Sequence, residues 1–161
     1  MSTPVSTPAA VGFEPDEIRT SEPTRSARLK WVVVVDEALP PGRAANAAIC
    51  VAAATATDVH GLRGPDAVDA EGGVHPGLPW AGCTVLTAPA AQLAAIRAKA
   101  AASLGVYVAD MPAAAQHTRV YDEYLEAVAA AGAADLPAYA VSLVGPRNRV
   151  DKIVGRLPLM S

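Results

Sequence analysis

The sequence predicts an α/β fold: a three-layer α/β/α sandwich with a mixed sheet of about four strands. Three observations carry that prediction. Helical stretches alternate with short runs of β-branched residues in the order β-α-β-α-β-α-β-α. The first such run, Trp31-Val32-Val33-Val34-Val35, is apolar at successive positions rather than alternate ones, as in a strand covered on both faces. The 161 residues are 52% hydrophobic and include 36 alanines but only 7 aromatics. That length suits one domain with a real core, and small side chains let helices lie close on a sheet.

Taken in order, residues 1–28 read as an N-terminal tail in which Pro, Ser and Thr recur without periodicity, with one helical turn from Glu14 to Thr20 after Phe13. Residues 29–161 form the domain. Leu29 to Asp36 is the first strand; Leu39-Pro40-Pro41-Gly42 ends it, because proline cannot continue the ladder. Arg43 to Ala56 is nearly all alanine and helical by propensity. Val59 to Trp80 is broken by glycines and prolines, with a small hairpin of Ala67-Val68-Asp69 and Val74-His75 around Glu71-Gly72-Gly73. Ala81 to Leu86 is the second strand. Thr87 is the expected N-cap of a helix with Pro89 in its first turn, and Leu93, Ile96 and Ala100 follow at helical spacing. Gly105 to Ala109 is the third strand, ending at Asp110. Pro112 to Ala131 is read as one helix, Ala138 to Val144 as the fourth strand. Gly145-Pro146 opens a last helix with Val150, Ile153 and Val154 inward and Gly155 as its stop.

Composition narrows the function classes. A net charge of −3 speaks against non-specific nucleic-acid binding, which needs clustered cations. No apolar run approaches the roughly 18 residues of a membrane span, and Met1 to Ala10 lacks a positive-then-apolar leader pattern. Cys50 and Cys83 sit in apolar surroundings without CxxC spacing, which predicts buried thiols, a reducing compartment and a cytoplasmic location. No cofactor is expected.

In open α/β sheets, ligands bind beyond the carboxyl ends of parallel strands. Asp36 and Asp110 each end such a strand if the first and third are parallel. Gly42 and Arg43 lie at a helix N-terminus, which favours anions, and Arg43 and Asn46 are one turn apart. Asp36, Gly42, Arg43 and Asn46 are therefore candidate ligands of a small anion; the bland alternative is that they cap and pack. His117 follows Asp110 by seven residues, beside Gln116 and Thr118. Facing each other, Asp110 and His117 would serve as a general base toward water; otherwise His117 is an ordinary helix residue. Asp66, Asp69, Glu71 and His75 match no standard metal spacing, and no metal is expected. Arg147, Arg149, Lys152 and Arg156 crowd the last helix, as a phosphate-binding or merely solvated face.

Three stretches carry a family resemblance. Val32-Val33-Val34-Val35-Asp36 through Leu39 and Gly42-Arg43-Ala44-Ala45-Asn46-Ala47-Ala48 resembles the strand, loop and helix start of type II peptidyl-tRNA hydrolases. Thr84-Val85-Leu86 through Leu93 and Lys99 to Asp110 resembles their strand-helix-strand ending in aspartate. Val144-Gly145-Pro146 and Val150 to Leu159, with Gly155-x-Leu157-x-Leu159, resembles their closing segment. In those hydrolases the first loop carries two lysines and the helix a histidine; here Arg43 is the one loop cation and Ala48-Ile49 occupy the helix. Leu39-Pro40-Pro41-Gly42 and the Gly64-Pro65-Asp66 to His75-Pro76-Gly77 loop are closer to a bacterial family known as domain of unknown function 2000. The resemblance implies the hydrolase fold; Ala-rich helix faces and the edge of a four-stranded sheet predict a homodimer, as in the hydrolases, with the tail from Pro4 to Thr24 docked across the partner through Phe13. Loss of the lysines implies a domain that binds a small ligand or partner without efficient peptidyl-tRNA hydrolase activity. The alternative is a hydrolase or acyl transferase acting on an aminoacyl or peptidyl ester or amide.

Overall fold

The computed structural model describes residues 10–161. Its strands are β1 (Leu29–Asp36), β2 (Ala67–Val68), β3 (Val74–His75), β4 (Thr84–Ala88), β5 (Tyr107–Pro112) and β6 (Ala138–Pro146). Its helices are α1 (Pro41–Asp58), α2 (Ala90–Ala101), α3 (Ala114–His117), α4 (Tyr121–Ala129) and α5 (Arg147–Val154). The four long strands form a mixed sheet in the order β4-β1-β6-β5. β1 runs parallel to β4 and antiparallel to β6, and β5 is antiparallel to β6. Hence β1, β4 and β5 share one direction. β2 and β3 form the separate hairpin expected in the long loop.

The valine run behaves as its pattern demands. Val32 and Val34 face one layer, with Leu93 and Ile96 of α2 and Val150 and Val154 of α5. Trp31, Val33 and Val35 face the other, with Ala44, Ala47 and Val51 of α1. Alternation in the strand thus feeds two cores from one segment. Gly155 ends α5 with φ +62° and donates its amide to Asp151 O at 2.9 Å, a positive-φ stop that glycine adopts without a Cβ penalty.

Several boundaries differ from the sequence reading. Thr87 lies inside β4, and Pro89 is the N-cap of α2, because Thr87 and Ala88 continue the parallel register opposite Val35 and Asp36. The stretch read as one helix from Pro112 is three elements. Pro112 ends β5 at a register irregularity after Met111, a place an edge strand tolerates proline. Thr118 then breaks the helix: its backbone is extended, and its Oγ1 donates to Ala114 O at 2.9 Å, ending α3 before α4 begins. Both cysteines, expected to be buried, are exposed and free. For Cys50 the reason is phase: Ala47 and Val51 take the inward face of α1, which turns Cys50 outward.

Residues 1–9 of the tail lie outside those described. From Ala10 onward the segment holds two short 3-10 turns, Pro15–Glu17 within the helical turn expected after Phe13 and Thr24–Ser26, and it is firmly seated. Phe13 is 2% exposed, 4.8 Å from the Trp80 ring, and packs with Val59 and Leu62. Gly12 bridges His60, and a Cβ on Gly12 would fall 2.4 Å from His60 Nδ1; only glycine allows that approach. Arg28 clamps the segment through Nε and Nη2 to the two carboxylate oxygens of Glu17 at 2.5 and 3.0 Å, and through Nη2 to Gly12 O at 3.0 Å. Phe13 is therefore not free to dock across a partner: its own chain already buries it.

Candidate ligand-binding site

Arg43 sits in the first turn of α1, placed there by Pro40 and Pro41, whose fixed φ suits a helix start. Its guanidinium reaches across to the segment after β5. Nε donates to Gln116 Oε1 at 2.9 Å, Nη2 lies 3.5 Å from Tyr139 Oη, and the head stands 5.3 Å from the Tyr139 ring centre. Gln116 returns its own amide to Arg43 O at 3.0 Å and to Asn46 Oδ1 at 3.1 Å. His117 Nε2 meets Tyr139 Oη at 3.0 Å. Arg43, Asn46, Gln116, His117 and Tyr139 thus form one connected polar cluster. Every partner of the Arg43 cation in it is neutral or aromatic. Among the described residues no carboxylate lies within ion-pair distance of Arg43.

The other candidates go elsewhere. Asp36 is buried and turns back on its own loop, accepting from Ala38 N at 2.9 Å, which is the behaviour of an Asx turn. Asp110 faces the α2 layer, opposite Val141 in the register, and pairs with Arg97 at 3.2 Å. β1 and β5 are parallel, as the site hypothesis required. However, β6 lies between them, so two strand spacings, about 10 Å, separate Asp36 from Asp110. The structure therefore unites Arg43 with Asn46, sets Gly42 exposed beside them, and joins neither Asp36 nor Asp110 to His117. In the long loop, Asp69 pairs with His75 at 3.0 Å and Asp66 accepts from Gly77 N at 2.8 Å. Arg147 holds the carbonyls of Ala27 and Thr24, each at 2.6 Å, and Arg149 that of Leu104.

Beside the cluster lies a cavity of about 310 Å³ between α1, β5, α3 and α4. Val51, Met111 and Ala115 form its floor, Tyr121 and Tyr124 its outer wall. Cys50 and Ala54 of α1 line the near side, and Asp110 closes it at the sheet edge. Burial pushes the Tyr124 phenol up from its ordinary range, with Tyr121 and the Asp110 charge adding to it. Gln116 and Tyr139 are the residues that sequence reasoning did not assign. Gln116 stood next to a candidate, but Tyr139 begins the fourth strand as an ordinary apolar position and carried no local signal.

An α/β domain with a mixed four-stranded sheet and a half-open groove beside α1 is the class that this fold and site define. A family model described as a protein of unknown function, DUF2000, matches residues 29–161, and the chain belongs to that family. The solved structure of a protein of unknown function from Agrobacterium tumefaciens superposes with a TM-score of 0.77 at 15% identity, covering 83% of this chain and 98% of that one; at that identity the likeness shows the fold alone. No curated protein matches the chain. Among the described residues, no helix is long and apolar enough to cross a membrane.

Proposed function

We propose that this protein is a small-ligand-binding domain that takes an anionic ligand at Arg43. The observation that carries the reading is the Arg43 cation, held in place by Gln116 and Tyr139 yet matched by no carboxylate. A guanidinium presented in a fixed fork suits a carboxylate or phosphate, and the exposed first turn of α1 at Gly42 adds a favourable dipole. In this reading Asn46 orients Gln116, Asp36 holds the loop before α1, and Asp110 holds Arg97 rather than acting as a base. The fold is proposed to be of the type II peptidyl-tRNA hydrolase kind, in a bacterial, cytoplasmic protein, without efficient hydrolysis of peptidyl-tRNA. Such hydrolysis calls for cations along the tRNA phosphates and a preorganised acid–base pair; here Asp110 and His117 have separate partners.

A thermal-shift screen of small anions tests the reading. Stabilisation of the wild type that is lost in Arg43→Ala supports it; equal stabilisation of both overturns it. Turnover of labelled peptidyl-tRNA that disappears in Asp110→Ala would restore the enzyme reading. A homodimer is proposed as well, supported by the outer edge of β5, which no strand among the described residues covers, and by the exposed Leu104 beside it. An open edge of this kind invites pairing. Light scattering should give twice the 16.4 kDa of one chain.

A further inference from the structure

From the geometry of the groove we infer that the ligand is an amphipathic carboxylate, its head on Arg43 and its apolar body in the cavity between α1 and α4. This rests on the reading of Arg43 as the anion anchor and adds what lies beyond it. Arg43, Asn46, Cys50 and Ala54 follow one stripe of α1, at spacings of three and four residues. At the helical rise of about 1.5 Å per residue, Cys50 stands about 10 Å along the axis from Arg43. The polar cluster and the cavity are therefore consecutive along α1, with Asn46 accepting from Gln116 on one side and from the Cys50 thiol on the other; a ligand spanning both makes them one groove.

Size and charge choose the occupant. The cavity measures about 310 Å³. A cavity of roughly 150 Å³ accepts benzene, so this one has room for a medium aliphatic chain or a fused aromatic pair. Its lining offers methyl, thioether and ring carbon, which recognise a hydrocarbon. The two charges bordering the groove differ in status. Asp110 already holds Arg97 and asks for no cation. Arg43 has no counter-ion, so the complementary head is negative. Entry needs a movable wall, and α4 supplies one. None of its residues is buried, its packing is mainly on the short α3, and Tyr121 is 73% exposed. Elements with so few buried contacts open at low free-energy cost.

Cys50 gives the test a reporter inside the groove; Cys83, whose thiol is pushed up to about 12 by burial, is the slow-reacting reference. The full-length chain is alkylated with N-ethylmaleimide and the rate at each cysteine is read by peptide mass spectrometry, with decanoate, decanol or acetate present. Decanoate should protect Cys50 and leave Cys83 unchanged. In Arg43→Ala the decanoate concentration needed should rise about tenfold or more, the scale of one lost charge-assisted hydrogen bond. Decanol should be the weaker protector in the wild type and indifferent to that substitution. Ala54→Phe, or Ala115→Phe should the first variant fail to fold by circular dichroism, should abolish protection. If acetate and decanoate stabilise the protein alike through Arg43 and neither protects Cys50, the anion anchor stands and the apolar-body inference is overturned. If decanoate and decanol protect equally and Arg43→Ala changes nothing, the anchor itself fails. Protection of Cys50 that grows with protein concentration and needs no added compound would assign the groove to a second copy and overturn the inference.

Discussion

Under α2 and α5 the buried cluster is aliphatic without exception, from Val32 and Val34 through Leu93, Ile96, Leu143 and Val150. Under α1 the same sheet presents Trp31 and Met111, takes in Phe13 from the N-terminal segment, and buries a hydroxyl chain. There Trp31 Nε1 donates to Ser142 Oγ at 2.8 Å, Ser142 and Thr55 hydroxyls meet at 2.7 Å, and Thr55 also bonds Val51 O at 2.7 Å. One layer is closed by plain apolar packing of two helices. The other is assembled from a helix, the N-terminal segment of residues 10–28 that straps across it, a long loop and a loosely seated α4. The cavity and the Arg43 cluster both belong to the second. Composite covers leave seams, and a seam between elements of unequal stability is where a ligand enters.

The comparison can be broken or sharpened by substitution. Phe13→Ala should cost about 3–5 kcal/mol, as for a buried phenylalanine, with the loss read from urea unfolding. A loss within a few tenths of a kilocalorie would show that the strap is an ornament on the α1 face. Thr55→Val should cost about 1–3 kcal/mol by stranding part of the Ser142 hydroxyl's bonding, whereas Val141→Ala in the aliphatic layer should act only through lost volume.

The strap is also sensitive to acid. The Arg28 guanidinium beside Glu17, helped by the Glu14 amide, holds the Glu17 carboxyl at about 2 instead of the usual 4.5. A lowered folded-state value stabilises fully above about 4.5 and is lost as pH falls toward 2. Trp80 fluorescence should report strap release in that window and show no such step in Glu17→Gln. The smallest effect belongs to Asp110→Asn. Its partly exposed pair with Arg97 should be worth roughly 0.2–1 kcal/mol, with Arg43-dependent binding of acetate, too short to reach the cavity that Asp110 borders, unchanged. Loss of that binding would tie the two layers together.

What could be read from the sequence follows how local each signal is. β1 was legible end to end because its valine run is self-contained. The Gly155 stop and the Gly72-Gly73 hairpin were legible because turn chemistry resides in the turn residues themselves. The break between α3 and α4 was hidden: Ala113-Ala114-Ala115-Gln116 has high helix propensity, and only the sheet edge decides that Pro112 belongs to β5. The same division holds in the site. Arg43 and Asn46 share a helix and were paired by spacing. Gln116 and Tyr139 stand 73 and 96 residues from Arg43, a proximity that the sheet creates. Asp110 and His117 looked coupled by their short separation, yet strand alternation sends Asp110 to the opposite layer.

The position of β1 at the centre of the sheet bears on how the chain is made. Its antiparallel neighbour β6 begins at Ala138 and pairs Pro146 with Leu29. On the ribosome, about a hundred residues therefore separate the emergence of the two, roughly 5–20 s at ordinary elongation rates. Through that interval Trp31 to Val35 keeps at least its β6 edge unpaired, β4 reaching only the other edge partway through, and an uncharged run of high β-propensity is the kind of segment that self-associates. The nascent protein is thus most exposed to misassembly in the interval before β6 emerges. Strains short of the chaperones that shelter such ribbons should deposit it in the insoluble fraction, and chains cut before β6 should follow the same route.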